Sequence, residues 1–195
     1  MSTLPAALTP GKLYRTRDLA AFAANPTRWA KHLSEEGILR QAMHGVYYLP
    51  KQTRFGPLAP SEREMLRAFL GDDQFVITGS PAWNLLDLGI TGLLMVTLVY
   101  NPYRTGEFTL DGGRYRLRRV RYPHHPPLEW FVVDAFENCR MVGADPALME
   151  GLLVRHLRSG KYDAGRLREV AVEYASPATR ERLFRALAAP AGTGA

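Results

Sequence analysis

The run TRDLAAFAANPTRWAKHLSEEGILRQAMHGVYYL, Thr16 to Leu49, decides how the chain is read, because its punctuation divides it into two short helices and a hairpin. Leu19, Phe22 and Ala23 recur at spacings of three and four, so Arg17 to Ala24 is expected to form a helix with one apolar stripe and Thr16 as its cap. Asn25 interrupts that helix and caps the next; Pro26 suits its first position because its φ is already helical, and Gly37 stops it. On a wheel of about 100° per residue, Trp29, Ala30 and Leu33 share the side expected to enter a core. Thr27, Arg28, Lys31 and Glu35 fall opposite, with His32 at the margin. Ile38 to Gln41 and Val46 to Leu49 are strand-prone runs joined by Ala42 to Gly45, with Arg40, Gln41 and His44 expected near the tip.

Two helices followed by a hairpin form the outline of a winged helix-turn-helix, a module that holds one helix in the major groove of DNA while a β-wing rests on the backbone. Charge agrees. Residues 11–54 carry eight Lys or Arg against three acids, a net of +5 out of +6 for all 195 residues. Cations gathered where phosphates would lie are the electrostatic footprint of nucleic-acid binding. Arg28 and Lys31 have the reach to read bases, while Arg15, Arg17, Lys51 and Arg54 are expected to hold phosphates. A basic helical hairpin can also be no more than a solvated face, or can grip an acidic protein.

The rest of the chain bounds the reading. With 195 residues, 46% of them hydrophobic, it has room for two small domains. The expected division is a winged helix-turn-helix over 1–54, a linker from Pro50 to Pro60, an α+β domain over 61–189 and a disordered tail over 190–195. No apolar run approaches the roughly 18 residues that cross a bilayer and no leader pattern opens the chain, so a cytoplasmic protein without membrane contact is expected. The single cysteine, Cys139, reads as a packing residue, and no Cys/His spacing resembles a zinc site. No metal or cofactor is expected.

In the second domain, Ser61 and Glu64 form a capping box ahead of a helix over Glu62–Leu70. A strand over Gln74–Thr78, a helix over Pro81–Leu88 closed by Gly89, and a strand over Leu93–Tyr100 follow. Asp111-Gly112-Gly113 joins Phe108–Leu110 to Tyr115–Val120 in a hairpin, giving a mostly antiparallel sheet. Arg114, Arg116 and Arg118 then line one sheet face, a ladder that either grips an anionic partner or is the wet side of the sheet. Leu128–Val133 reads as a further strand, Asp134–Val142 as a helix, and Pro146 to Leu187 as three terminal helices punctuated by Gly160, Gly165 and Pro177.

No phosphate loop, nucleophile elbow or H-E-x-x-H occurs, so no catalytic residue is assigned and an enzyme is not expected. Asp111, Glu129 and Asp134 bear a loose likeness to the carboxylates of metal-dependent nucleases. His124-His125, in an extended segment between prolines, points its two rings to opposite faces and suits a shared metal badly.

Gly45-Val46-Tyr47-Tyr48-Leu49-Pro50-Lys51, followed by Arg54-Phe55-Gly56-Pro57-Leu58 and Pro60-Ser61, resembles the AbiEi-type antitoxins of type IV toxin-antitoxin systems. The likeness continues through Gly79-Ser80, Ala82, Asn84, Leu85, Leu88 and Gly89, then Val99-Tyr100-Asn101, Arg104, Gly106 and Phe108-Thr109-Leu110, covering about residues 11–140. The resemblance implies a winged helix-turn-helix that represses its own operon, joined to a domain carrying antitoxin activity against a nucleotidyltransferase-like toxin. Matching positions would put Thr27, Arg28, Lys31 and His32 on the recognition helix and Arg40 to His44 in the wing. Where the family wing commonly reads Arg-Gly-x-Tyr, this chain has His44, which implies a weaker or pH-dependent phosphate contact. The expected partners are thus operator DNA, a toxin and, because palindromic operators take two modules, a second copy of the chain.

Overall fold

Asn25 and Pro26 start a helix where their chemistry requires one. In the computed structural model, which describes residues 8–189, α1 spans Pro26–Glu35, and the Asn25 Oδ1 accepts the Arg28 N–H at 3.1 Å. Gly37 follows at φ +73°, a left-handed value that permits the exit. Ala30 and Leu33 are wholly buried, as the wheel requires, and Trp29 is half-buried beside them.

The segment before α1 is shorter than its periodicity suggests. Only Asp18–Ala21 is helical, as one 3₁₀ turn, and Thr16 does not cap it. The Thr16 hydroxyl instead donates to the Gly45 carbonyl at 3.1 Å, and the Asp18 carboxylate accepts the Arg15 N–H at 2.9 Å. Both side chains are thereby spent on holding strand β1 (Leu13–Arg15) to its surroundings.

Strands β2 (Arg40–Met43) and β3 (Val46–Tyr48) make the expected hairpin, with β1 on the far side of β3 in the order β1-β3-β2. The turn is tighter than Ala42 to Gly45: only His44 and Gly45 lie between the strands, with Gly45 at φ +71°. Arg40 pairs with Tyr48, so it sits at the end of the hairpin away from the turn and not near the tip.

The Pro50–Pro60 stretch is not a structureless linker. Lys51–Thr53 (β4) and Gly56–Leu58 (β5) form a two-stranded antiparallel hairpin, with Pro57 opposite Gln52. Helix α2, Glu62–Leu70, follows with the expected capping box: the Ser61 hydroxyl accepts the Glu64 N–H, and the Glu64 carboxylate accepts the Ser61 N–H at 2.8 Å. The Ser61 hydroxyl, which donates to Glu64 Oε2 at 2.6 Å, and then the Ser61 N–H hold the Glu64 carboxyl below its usual range.

By internal contacts the chain forms two units. Unit 1 runs to Asp73 and takes in Phe108–Arg114; unit 2 is Gln74–Glu107 together with Tyr115 onward. Leu8, Tyr14, Leu19, Ala30, Leu33, Leu39 and Tyr47 form the core of unit 1. Helix α2 joins this unit through Arg15, whose Nη2 donates to the Ala68 carbonyl at 2.7 Å. Unit 1 so defined has eleven Lys or Arg and eight Asp or Glu, because α2 and the residues after it bring more acids than bases.

The architecture is α+β. A four-stranded sheet runs β6 (Val76–Thr78), β7 (Thr97–Tyr100), β9 (Gly113–Arg118), β8 (Gly106–Leu110), with β6 antiparallel to β7 and β7 parallel to β9. Asp111 and Gly112, both at positive φ, make the β8–β9 turn that Asp-Gly-Gly announces. Helix α3 is only Ser80–Asn84, and Leu93 and Met95, expected within a strand, are exposed ahead of β7.

Leu128–Val133 is not a strand. Leu128–Asn138 is one helix, α4, continued by a 3₁₀ turn over Cys139–Val142. Eight of its eleven residues are buried, because it is the central helix of unit 2, packed by α6 (Ala164–Tyr174) and also by α3 and α7 (Pro177–Ala188). With α5 (Pro146–Arg158) these are the three expected terminal helices, started by Asp145, Asp163 and Ser176. Cys139 is buried, and the 190–195 tail lies outside the described residues.

Close packing also limits the loop before β7. A Cβ on Gly92 would lie 2.2 Å from the Val142 carbonyl oxygen, a backbone atom that cannot turn aside. Gly92→Ala is expected to lower the stability of unit 2 by about 1–2 kcal/mol, read from its urea midpoint; an unchanged midpoint would contradict this packing.

Candidate nucleic-acid interface

Helix α1 presents Thr27, Arg28, Lys31, His32 and Glu35 to solvent on the side away from Ala30 and Leu33. Arg28, Lys31, His32 and Glu35, with Ala23, Asn25 and Trp29, line one shallow groove along the helix. The Asn25 cap holds the backbone of Arg28, but its guanidinium makes no hydrogen bond or ion pair among the described residues. Lys31 approaches Glu35 at 3.8 Å and His32 approaches Glu36 at 3.5 Å, each one helical turn on. The exposed Lys31–Glu35 pair is worth only about 0.3–0.5 kcal/mol, so a phosphate can replace its carboxylate with little loss.

The other basic positions fall into separate places. Arg40 stands beside the Tyr48 hydroxyl at the outer end of β2, Gln41 is exposed opposite Tyr47, and His44 occupies the β2–β3 turn. Arg17 is exposed and lies 3.7 Å from Asp18. Lys51 and Arg54 belong to the β4–β5 hairpin, where Lys51 shares a second groove with Lys12 and Arg67. Arg15 is half-buried, and its Nη2 donates to the carbonyl of Ala68 at 2.7 Å. Lys12 and Phe55 went unassigned from sequence; Arg54 beside an aromatic, ahead of Gly-Pro, was the available signal for the second.

The arginine ladder has the expected alternation, with Tyr115 and Leu117 buried between its members. Its cations are already engaged. Arg116 grips Glu107 at 2.7 Å, and Arg118 donates to the Asn138 Oδ1 at 2.8 Å.

The three carboxylates considered for metal chemistry are held by separate networks. Asp111 accepts the Tyr48 hydroxyl at 3.2 Å, and Glu129 accepts the Asp163 N–H at 3.0 Å. Asp134 is buried under four donors: Thr78 Oγ1 at 2.5 Å, Trp83 Nε1 at 2.8 Å, the Tyr100 hydroxyl at 2.6 Å and Asn138 Nδ2 at 3.0 Å. Burial pushes both the Asp134 carboxyl and the Tyr100 phenol above their ordinary ranges. Among the described residues, no group of three or more His, Cys, Asp or Glu is placed to hold a metal ion. The His124 and His125 rings touch each other, Nδ1 to Nε2 at 3.2 Å.

No protein-family model matches this chain, and no curated protein matches it. No helix among the described residues is long and apolar enough to cross a membrane.

Proposed function

We propose that the chain binds duplex DNA through unit 1, with α1 as the recognition helix of a winged helix-turn-helix and the β2–β3 hairpin as its wing. The observation that carries this reading is the exposed face of α1, where Thr27, Arg28, Lys31 and His32 stand together and the Arg28 guanidinium is uncommitted. Thr16 supports it by tying the start of the 3₁₀ turn to the wing turn at Gly45, so the chain passes from the wing end of the sheet into the approach to α1. Arg28 reads base edges, Lys31 and His32 hold phosphate or base, and Arg17, His44, Lys51 and Arg54 position the backbone. The resemblance to AbiEi-type antitoxins extends the proposal: a cytoplasmic autorepressor, acting as a dimer on its operator, and the antitoxin to a nucleotidyltransferase-like toxin.

Fluorescence anisotropy with the DNA upstream of the protein's own reading frame tests the DNA-binding part. Four cations on phosphates, Arg17, Lys31, Lys51 and Arg54, predict a log–log salt slope of about −3 to −4, and a scrambled duplex should bind more weakly. An affinity indifferent to both salt and sequence overturns the repressor reading. The antitoxin part is tested by co-expression with the product of the adjacent gene, where failure to restore growth to cells making an adjacent nucleotidyltransferase overturns it.

A further inference from the structure

Strands β4 and β5 pair with each other and form a sheet of their own, and every side chain from Lys51 to Phe55 is exposed. Phe55 stands at the tip with 85% of its surface in water. The tip is braced: the Thr53 hydroxyl donates to the Gly56 carbonyl at 2.8 Å and accepts the Phe55 N–H at 3.2 Å, while Gly56 takes φ +110°. The Arg54 guanidinium lies 4.6 Å from the centre of the Phe55 ring. Residues 51–58 contain Lys51 and Arg54 and no acid; the groove at the base of the hairpin is lined by Lys12, Lys51 and Arg67 and by one acid, Glu64. A rigid aromatic ring on a hairpin that itself carries cations and no carboxylate suits a ligand that has flat apolar faces between phosphates.

We propose that the β4–β5 hairpin is a second DNA contact, in which Phe55 seats its ring against a base step from the minor groove while Arg54 and Lys51 take the flanking phosphates. It rests on the DNA-binding reading above and deepens it. The minor groove, about 6 Å wide, is too narrow for the two-stranded ribbon itself, so only the Phe55 ring at the tip enters it; apolar wedges set between base steps are an established way to hold and bend a duplex. The contact is separate from the wing. The wing turn leaves β3 at Val46, whereas β4 follows from the Tyr48 end, where Leu13 and Arg40 pair. The hairpin therefore lengthens the footprint on DNA instead of repeating the wing.

The test uses the full chain and a fluorescein-labelled duplex of the upstream DNA, together with the same duplex carrying 2-aminopurine at successive positions. Phe55→Ala is expected to weaken binding about 5- to 100-fold with little change in salt slope, the range associated with loss of one stacked base. The 2-aminopurine signal that reports unstacking should vanish in Phe55→Ala and persist in Phe55→Trp. Arg54→Ala should instead make the salt slope shallower by about one, and circular dichroism checks that each variant is folded. Binding by Phe55→Ala within about twofold of the parent, while Arg28→Ala is weakened, overturns this proposal and leaves the recognition-helix reading standing. Loss of self-association with DNA binding intact makes the hairpin a protein contact and also overturns it. A parent chain that binds no duplex overturns both readings.

Discussion

Asp134→Ala is expected to cost unit 2 about 3–5 kcal/mol. The carboxylate is the common acceptor for Thr78 on β6, Trp83 on α3, Tyr100 on β7 and Asn138 one turn on along α4. Alanine strands Thr78, Trp83 and Tyr100 in a dry interior, while Asn138 keeps the Asp134 backbone carbonyl at 2.8 Å, and it weakens the tie between the sheet and its central helix. Trp83 and Trp130 are both buried in this unit, so their fluorescence during urea unfolding reports the loss. A change below about 1 kcal/mol would mean that the apolar core, not the carboxylate, holds these elements together.

The same group gives the protein a pH dependence of defined sign. Burial raises the Asp134 carboxyl above its ordinary range, against the opposing hydrogen bonds from Thr78, Tyr100 and Trp83 and the nearby charge of Arg118. A carboxyl with a raised folded value holds its proton more tightly in the folded state. Its contribution is whole below the unfolded value of about 4 and declines as pH rises through the elevated one. Asp134→Asn cannot titrate, so it should lose less stability than alanine and flatten the decline. Parallel pH profiles for the parent and Asp134→Asn would contradict the assignment.

Arg28→Ala is expected to cost about 1–3 kcal/mol of specific DNA binding, a drop of roughly 5- to 150-fold, while binding to scrambled duplex changes little. The Asn25 cap fixes the helix start, so the substitution removes a guanidinium and leaves its platform intact. Lysine at this position lacks the rigid planar fork that matches the guanine edge and should restore specificity only in part. An equal loss on every sequence would make Arg28 a phosphate contact only.

The elements legible in the sequence were those with chemical punctuation. Asn25-Pro26 and Gly37 bracket α1, Asp145-Pro146 and Ser176-Pro177 open α5 and α7, and Asp111-Gly112 turns β8 into β9. The second half of α4 was legible, but its first half, Leu128–Val133, was not, for a physical reason: the helix is buried around most of its circumference, so little polar face exists to reveal a period, and Val132-Val133 favours a strand. The β4–β5 hairpin was hidden by Pro57, which is tolerated there because a two-stranded ribbon has only edges. In the candidate site, cation positions were readable but their engagements were not. Arg15, Arg116 and Arg118 are held by groups up to 53 residues distant, a pairing no local pattern encodes.

The β8–β9 turn has a consequence for the order in which the protein can be made. Residues 108–114 cluster with unit 1, where the Asp111 N–H donates to the Ala42 carbonyl at 2.7 Å and its carboxylate receives the Tyr48 hydroxyl. During synthesis the N-terminal segment emerges first, but two of its polar groups wait for a partner more than sixty residues downstream. Unit 1 cannot finish folding until the ribosome has passed Arg114. A nascent chain stalled short of that point would carry α1 without the last support of the β2–β3 hairpin.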